Sequence, residues 1–291
     1  MKILSKPSIL YHWRAKAFVY LLQSLALASG AIVLLIVGFL LRESLPILRQ
    51  VGMVRFFSDR TWHPTSGEFG LYPMLWGSML VTIGGVAIAT PLGLSSAIFC
   101  QYYAPPMVAQ AYRRLIELLA GIPSVIYGLW GLVVLVPLIS RLHPPGTSLL
   151  TGLLVLALMI LPTIALVADT SLANVPPSYL QGAAALGLGR WAIVRSVAIP
   201  AARAGLSTAV VLGTGRAIGE TMAVLMVCGN VVQMPEGLFS PVRTLTANMA
   251  LEMAYAMADH RSALFVSGLV LMALVGLLVA IAEGINGEVY D

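Results

Sequence analysis

Five long stretches of this chain contain no Asp, Glu, Lys or Arg: residues 17–41, 69–112, 118–140, 142–168 and 262–282. Crossing a hydrocarbon core of about 30 Å takes roughly 20 residues of helix, so each stretch is long enough to span a membrane. A further apolar stretch, 204–229, is interrupted only by Arg216 and Glu220. The pattern predicts an all-α, polytopic membrane protein with six transmembrane helices. Although 69–112 is long enough for two crossings, a reversal inside it would need a polar turn, and the residues around Pro91 and Gly93 are apolar. It reads as one helix over 74–100, bent where Pro91 removes a hydrogen bond, followed by the loop QYYAPPMVAQ.

The polar stretches between the spans organise a single membrane domain over residues 1–291. A first outer loop covers 42–73, and its segment SLPILRQVGMVRFF carries apolar residues at helical spacing around Arg49 and Arg55. That spacing suits a helix lying on the membrane surface. The turn-forming WHPTSGEFGLYP follows and leads into the second span. A cytoplasmic loop covers 171–203, where VPPSY stops the preceding helix and 179–197, free of proline, forms one or two short helices. A second outer loop covers 230–261. GIPSV, at 121–125, is expected to bend the third span within the membrane, with Ser124 bonding backbone groups freed there.

Composition agrees with the pattern: 59% of the 291 residues are hydrophobic and 10% are charged, against about a quarter charged in soluble domains. With the N-terminus inside, the cytoplasmic arms hold Lys2, Lys6, Arg14, Lys16, Arg113, Arg114, Arg190, Arg195 and Arg203. The outer arms hold Arg42, Arg49, Arg55, Arg60, Arg141, Arg243 and Arg261. The excess favours a cytoplasmic N-terminus, and six spans then return the C-terminus to the same side. The net charge of +5 is spread over both sides and calls for no nucleic acid. The first apolar run continues well past a small-residue ALA at 26–28, so it reads as a retained anchor rather than a signal peptide.

Candidate chemistry is sparse. Cys100 and Cys228 fall near opposite ends of different spans and read as packing residues, while His12, His63, His143 and His260 lack ligand spacing, so no metal site is expected. No cluster of nucleophile, base and acid suggests hydrolysis, and the chain is not expected to be an enzyme. A phosphate-cradling P-loop needs a lysine after its glycines, and Lys16 is the last lysine of the sequence. ATP-driven work would therefore have to come from another subunit.

Arg216 and Glu220 are the sharpest internal clue. Close to the middle of the fifth span and four residues apart, they point from one helical face, and Ala209, Gly213, Gly219 and Ala223 on that face imply a groove. Charges at such depth are costly and usually face protein or water. Arg216 offers a fork of donors to an oxyanion in transit, and Glu220 is expected to hold and partly neutralise it. A buried ion pair that only locks two helices is the structural alternative. Glu117 reads as an ion-pair partner of Arg113 and Arg114, Asp169 as an anchor for the inner end of the fourth span, and Trp62, Tyr72 and Trp76 as membrane-interface aromatics. Arg243, Asp259, His260 and Arg261 read as a solvated outer rim or as contacts for an external binding protein. Between two apolar stretches lies QGAAALGLGRWAIVRSVAIP, residues 181–200, where small residues precede a large ring, Trp191, able to seat in a partner's groove.

That segment resembles the cytoplasmic loop of ABC importer permeases, E-A-A, three residues, G, nine residues, I-x-L-P. Gln181, Gly182, Ala183, Gly187, Val197, Ile199 and Pro200 occupy those places, with Gln181 where the family has its acid. FFSDRTWHPTSGEFGLYP, ELLAGIPSVIYGLWG and GRAIGETMAV are similar to the C-type permease of phosphate-specific importers. The resemblance implies the type I ABC importer permease fold, in the cell inner membrane. It further implies a heterodimer with an A-type sister permease, two ATPase subunits carrying ATP and Mg, and a periplasmic phosphate-binding protein. Gln181, Gly182, Ala183, Gly187, Trp191 and Pro200 would then couple the chain to the ATPase. Arg216 and Glu220 would line the path of inorganic phosphate. Permeases for sulfate or molybdate, a proton-coupled carrier using Glu220 as relay, and a non-transporting signalling scaffold remain open on these residues.

Overall fold

The computed structural model describes residues 9–287, most of it helix. α1 (Ile9–Val51) is a single helix of 43 residues with Pro46 inside it. At 1.5 Å per residue it is about 64 Å long, far more than a bilayer core requires. The expected surface helix over 44–57 is therefore not separate. Its first half extends α1, and Gly52, at φ 83, turns the chain into the short α2 (Met53–Ser58). Ile47 and Phe56 face protein, joining Leu71, Met74, Leu245 and Leu264 in an apolar cluster at one end of the molecule. A two-residue hairpin, β1 (Trp62–His63) with β2 (Glu68–Phe69), closes that end.

α3 (Tyr72–Ile98) runs as one helix and widens into a π-helical turn, Phe99–Tyr103. After Pro105 comes α4 (Pro106–Gly121), then a corner of 92°. GIPSV thus bends the chain, as expected, and by a right angle. Ile122 precedes a proline and is forced into extended backbone, φ −69 and ψ 128, which ends α4. Beyond the corner the chain continues as α5 (Ser124–Trp130), a π-helical turn at Gly131–Leu135 and α6 (Val136–Ser140).

α7 (Leu149–Ala173), capped by the Ser148 hydroxyl, is the most buried of the apolar helices and stands at the centre. The cytoplasmic-loop sequence forms α8 (Pro177–Ala185), α9 (Arg190–Ile193), a π-helical turn and α10 (Ile199–Ala201). α9 and α10 meet α11 (Arg203–Ile218) at 72°. The span predicted over 204–229 is not one helix. α11 ends at Ile218, and α12 (Met222–Val227) restarts after Gly219, Glu220 and Thr221. α13 (Leu245–Glu252) and α14 (Ala258–Gly287) complete the chain. Among the described residues, four helices suffice to cross a membrane, and counting each bent pair as one crossing gives six.

Glycines set how closely these helices approach. A Cβ on Gly93 of α3 would lie 2.9 Å from the Ile164 side chain, and one on Gly213 of α11 would lie 2.7 Å from it. α3 and α11 thus grip the same residue of α7. The small residues expected to open a groove on α11 instead let it pack, with Ala209 and Gly213 fully buried.

Candidate functional site

The Ile164 contact fixes the register of α11 on α7 and brings Arg216 to the residue before it. Arg216 donates from Nη1 to Thr163 Oγ1 at 2.9 Å. Thr163 lies about 21 Å along a helix about 37 Å long, near its middle. Arg216 is half-buried, and among the described residues no carboxylate pairs with it. The expected hold of Glu220 on Arg216 is absent. The reason is local: Gly219 is a poor helix former, the last turn tightens as Glu220 N–H donates to Ala217 O at 3.2 Å, and α11 stops. A spacing of four places two residues on one face only while the helix continues.

Glu220 has a different partner. Its Oε1 accepts from the Ala223 N–H at 3.0 Å, capping α12 with a carboxylate where the helix dipole favours negative charge. Its backbone oxygen accepts from Thr246 Oγ1 at 2.8 Å, tying the turn to α13. α5 closes the other side: a Cβ on Gly128 would lie 2.8 Å from Ala223 Cα. A guanidinium held by a hydroxyl therefore stands just before the helix break, and a carboxylate held by an amide stands within it.

At the hairpin end the structure assembles residues that the sequence leaves scattered. Glu252, 7% exposed, accepts from Trp62 Nε1 at 2.8 Å, Arg243 Nη1 at 2.7 Å and His260 Nε2 at 2.8 Å. Arg243 also donates to Asn248 Oδ1 and the Asn230 carbonyl. Arg243 and His260 are thus drawn inward, and Arg261 covers the Phe265 ring. Trp62, expected at a membrane interface, is 5% exposed. The signal for Glu252 was a lone acid inside the apolar run NMALEMAYAM, and nothing in its spacing named its partners.

At the opposite end, Arg113 of α4 pairs with Asp169 of α7 at 2.8 Å, and Gln101 joins at 2.9 Å. Glu117 is not its partner. α8, the turn after it, α9 and α10 then carry the coupling candidates. Gln181, Gly182, Gly187, Trp191 and Pro200 are exposed, and Ala183 is buried. Gly187 is left-handed at φ 80, with Leu188 N–H donating to Ala183 O and Gly187 N–H to Ala184 O. This is a Schellman ending, which explains the required glycine. It leaves Leu186 83% and Trp191 61% exposed on the rim of the turn.

Comparison with known proteins follows the same lines. Residues 89–286 match the family described as binding-protein-dependent transport system inner membrane component. A probable ABC transporter permease protein, YqgH of Bacillus subtilis, is 42% identical over 234 residues, covering 78% of this chain and 76% of that protein. The phosphate transport system permease protein PstC of Mesorhizobium japonicum is 36% identical, covering 78% and 76%. That of Xylella fastidiosa is 33% identical, covering 89% and 84%. Among solved structures, a bacterial alginate ABC transporter in complex with an alginate pentasaccharide-bound periplasmic protein superposes with a TM-score of 0.66 at 12% identity, over 95% of this chain and 97% of that one. The inward-facing MetNI methionine ABC transporter gives 0.59 at 18%, over 74% and 93%. By sequence and by fold, this chain belongs to the binding-protein-dependent inner membrane components, the permeases of ABC importers.

Proposed function

We propose that this permease moves inorganic phosphate across the membrane, driven by ATP hydrolysed on partner subunits. The observation that carries the reading is the half-buried Arg216 guanidinium, bonded near the middle of α7 to a neutral hydroxyl and, among the described residues, paired with no carboxylate. Its remaining donors suit an oxyanion, and the relatives named as phosphate permeases point to which one. Glu220, in the helix break, limits the depth of the anion's well so that phosphate passes on.

An A-type sister permease supplies the other half of the path. Of two ATPases, which bind the ATP and magnesium, one docks on the 181–200 segment, and a phosphate-binding protein delivers from the Trp62 end. The N- and C-termini then face the cytoplasm, as the basic residues favour. Gln181, lacking the usual acid, offers a neutral hydrogen bond in the dock.

The test is uptake by proteoliposomes holding the whole complex with ATP on the ATPase side. A charge-assisted hydrogen bond is worth about 1.5–3 kcal/mol, so Arg216→Ala is expected to cut phosphate uptake about 10- to 100-fold while the complex still assembles. Normal uptake by that variant rejects Arg216 as a path residue. Sulfate uptake in the same vesicles tests the choice of anion.

A further inference from the structure

The turn that carries Glu220 is held in place by α13, and α13 is held in place by Glu252. At its first turn, Thr246 donates its hydroxyl proton to the Glu220 carbonyl at 2.8 Å. Since that proton is committed, the neighbouring Thr244 hydroxyl, 3.1 Å away, donates to Thr246 and accepts from the Ala247 N–H. One residue earlier, Leu245 N–H donates to Ser78 Oγ of α3 at 2.9 Å. The near end of α13 is therefore bonded both to the helix break and to α3. Thr244, Thr246 and Ser78 are all buried, which makes each of these bonds costly to leave unmade.

At its far end Glu252 takes the indole of Trp62, the guanidinium of Arg243 and the imidazole of His260. Those residues come from the hairpin, the loop after α12 and the start of α14. Six residues separate Thr246 from Glu252, about 9 Å of helix. Such a short, capped helix moves as one piece, so a displacement of the hairpin or of the 230–244 loop reaches Glu220 without passing through α11 or α12. A helix that served only to fill space would not need a side-chain bond to a carbonyl of the break.

We infer that Thr246 and Glu252 are positioning residues for transport: α13 is a strut that sets the Glu220 turn from the hairpin end of the permease. The inference rests on the proposed role of Glu220 in the path and adds the means by which the far end governs it. A partner that docks on the hairpin and shifts Trp62 or Arg243 would thereby reset the break beside Arg216. Neither Thr246 nor Glu252 touches the transported anion.

The experiment measures phosphate uptake and ATP hydrolysis by the complete reconstituted complex carrying Thr246→Val, Thr246→Ser, Glu220→Gln and the double variant Thr246→Val with Glu220→Gln. Valine keeps the shape of threonine and removes the hydroxyl. It is expected to lower maximal uptake at least fivefold, with less than a twofold change in the half-saturating phosphate concentration. Serine, which keeps the hydroxyl, should restore uptake to within twofold of the parent. In the Glu220→Gln background the valine change should cost less than twofold more, because both act on one turn. Glu252→Gln provides a second entry to the strut and should lower maximal uptake in the same sense, with complex yield and thermal midpoint recorded alongside. Uptake by Thr246→Val equal to the parent, with Glu220→Gln impaired, overturns the strut and leaves the path reading intact. Normal uptake by Glu220→Gln overturns the path reading and the strut with it. Equal losses in Thr246→Val and Thr246→Ser, tracking a lowered thermal midpoint, reduce the role to stability and overturn the proposal.

Discussion

Arg216, in the last turn of α11, has a threonine of mid-α7 for a partner, and that choice of partner decides what it can do. A carboxylate within 4 Å would compete with any incoming anion, whereas the Thr163 hydroxyl orients the guanidinium without cancelling it. Arg216→Lys is therefore expected to retain part of the uptake lost in Arg216→Ala, since it keeps the charge and loses the fork, and a dose–response in phosphate reads the difference. The two charges were legible in the sequence because nothing else interrupts the apolar stretch around them. Their relation was not, because four-residue spacing assumes an unbroken helix and Gly219 ends it. Glu252 was invisible for the opposite reason: its three donors lie 190, 9 and 8 residues away, and no local pattern encodes such a meeting.

Among the elements, apolar runs located most of the spans, and the departures fall where backbone chemistry overrides the run. Pro123 forces Ile122 out of helix and turns an expected bend into a corner, while Pro46 lies inside α1 without ending it. Close approach is the other feature that composition does not reveal. A Cβ on Gly128 would meet backbone at Ala223, so Gly128→Ala should push α12 away and loosen the Glu220 cap. Overpacking of this kind costs about 1–3 kcal/mol, read as a lower thermal midpoint of the complex together with reduced uptake. Gly187 makes a different case, since nothing lies within 4 Å of its Cβ position and only its left-handed backbone matters. Gly187→Ala is expected to cost about 1–2 kcal/mol at the α8 ending and to weaken ATPase binding by the permease, which co-purification measures.

For the molecule as a whole, the sequence segment first conspicuous for its small residues proves to be a helix, a glycine ending and an exposed rim, placed where α7 leads out of the core. In the proposed ATP-driven cycle this is the surface on which a partner ATPase would act, since no lysine follows Lys16 to serve a P-loop within the sequence. The 72° junction between α10 and α11 links that surface to the helix bearing Arg216, and α13 reaches the same helix break from the far end. Both ends of the permease thus converge on residues 216–223. The most direct measurement of this arrangement is ATP-dependent phosphate uptake by proteoliposomes containing the sister permease, the ATPases, the binding protein and either the parent chain or Arg216→Ala. Uptake that requires both the ATPases and Arg216 is the predicted result, and uptake that persists without either one contradicts it.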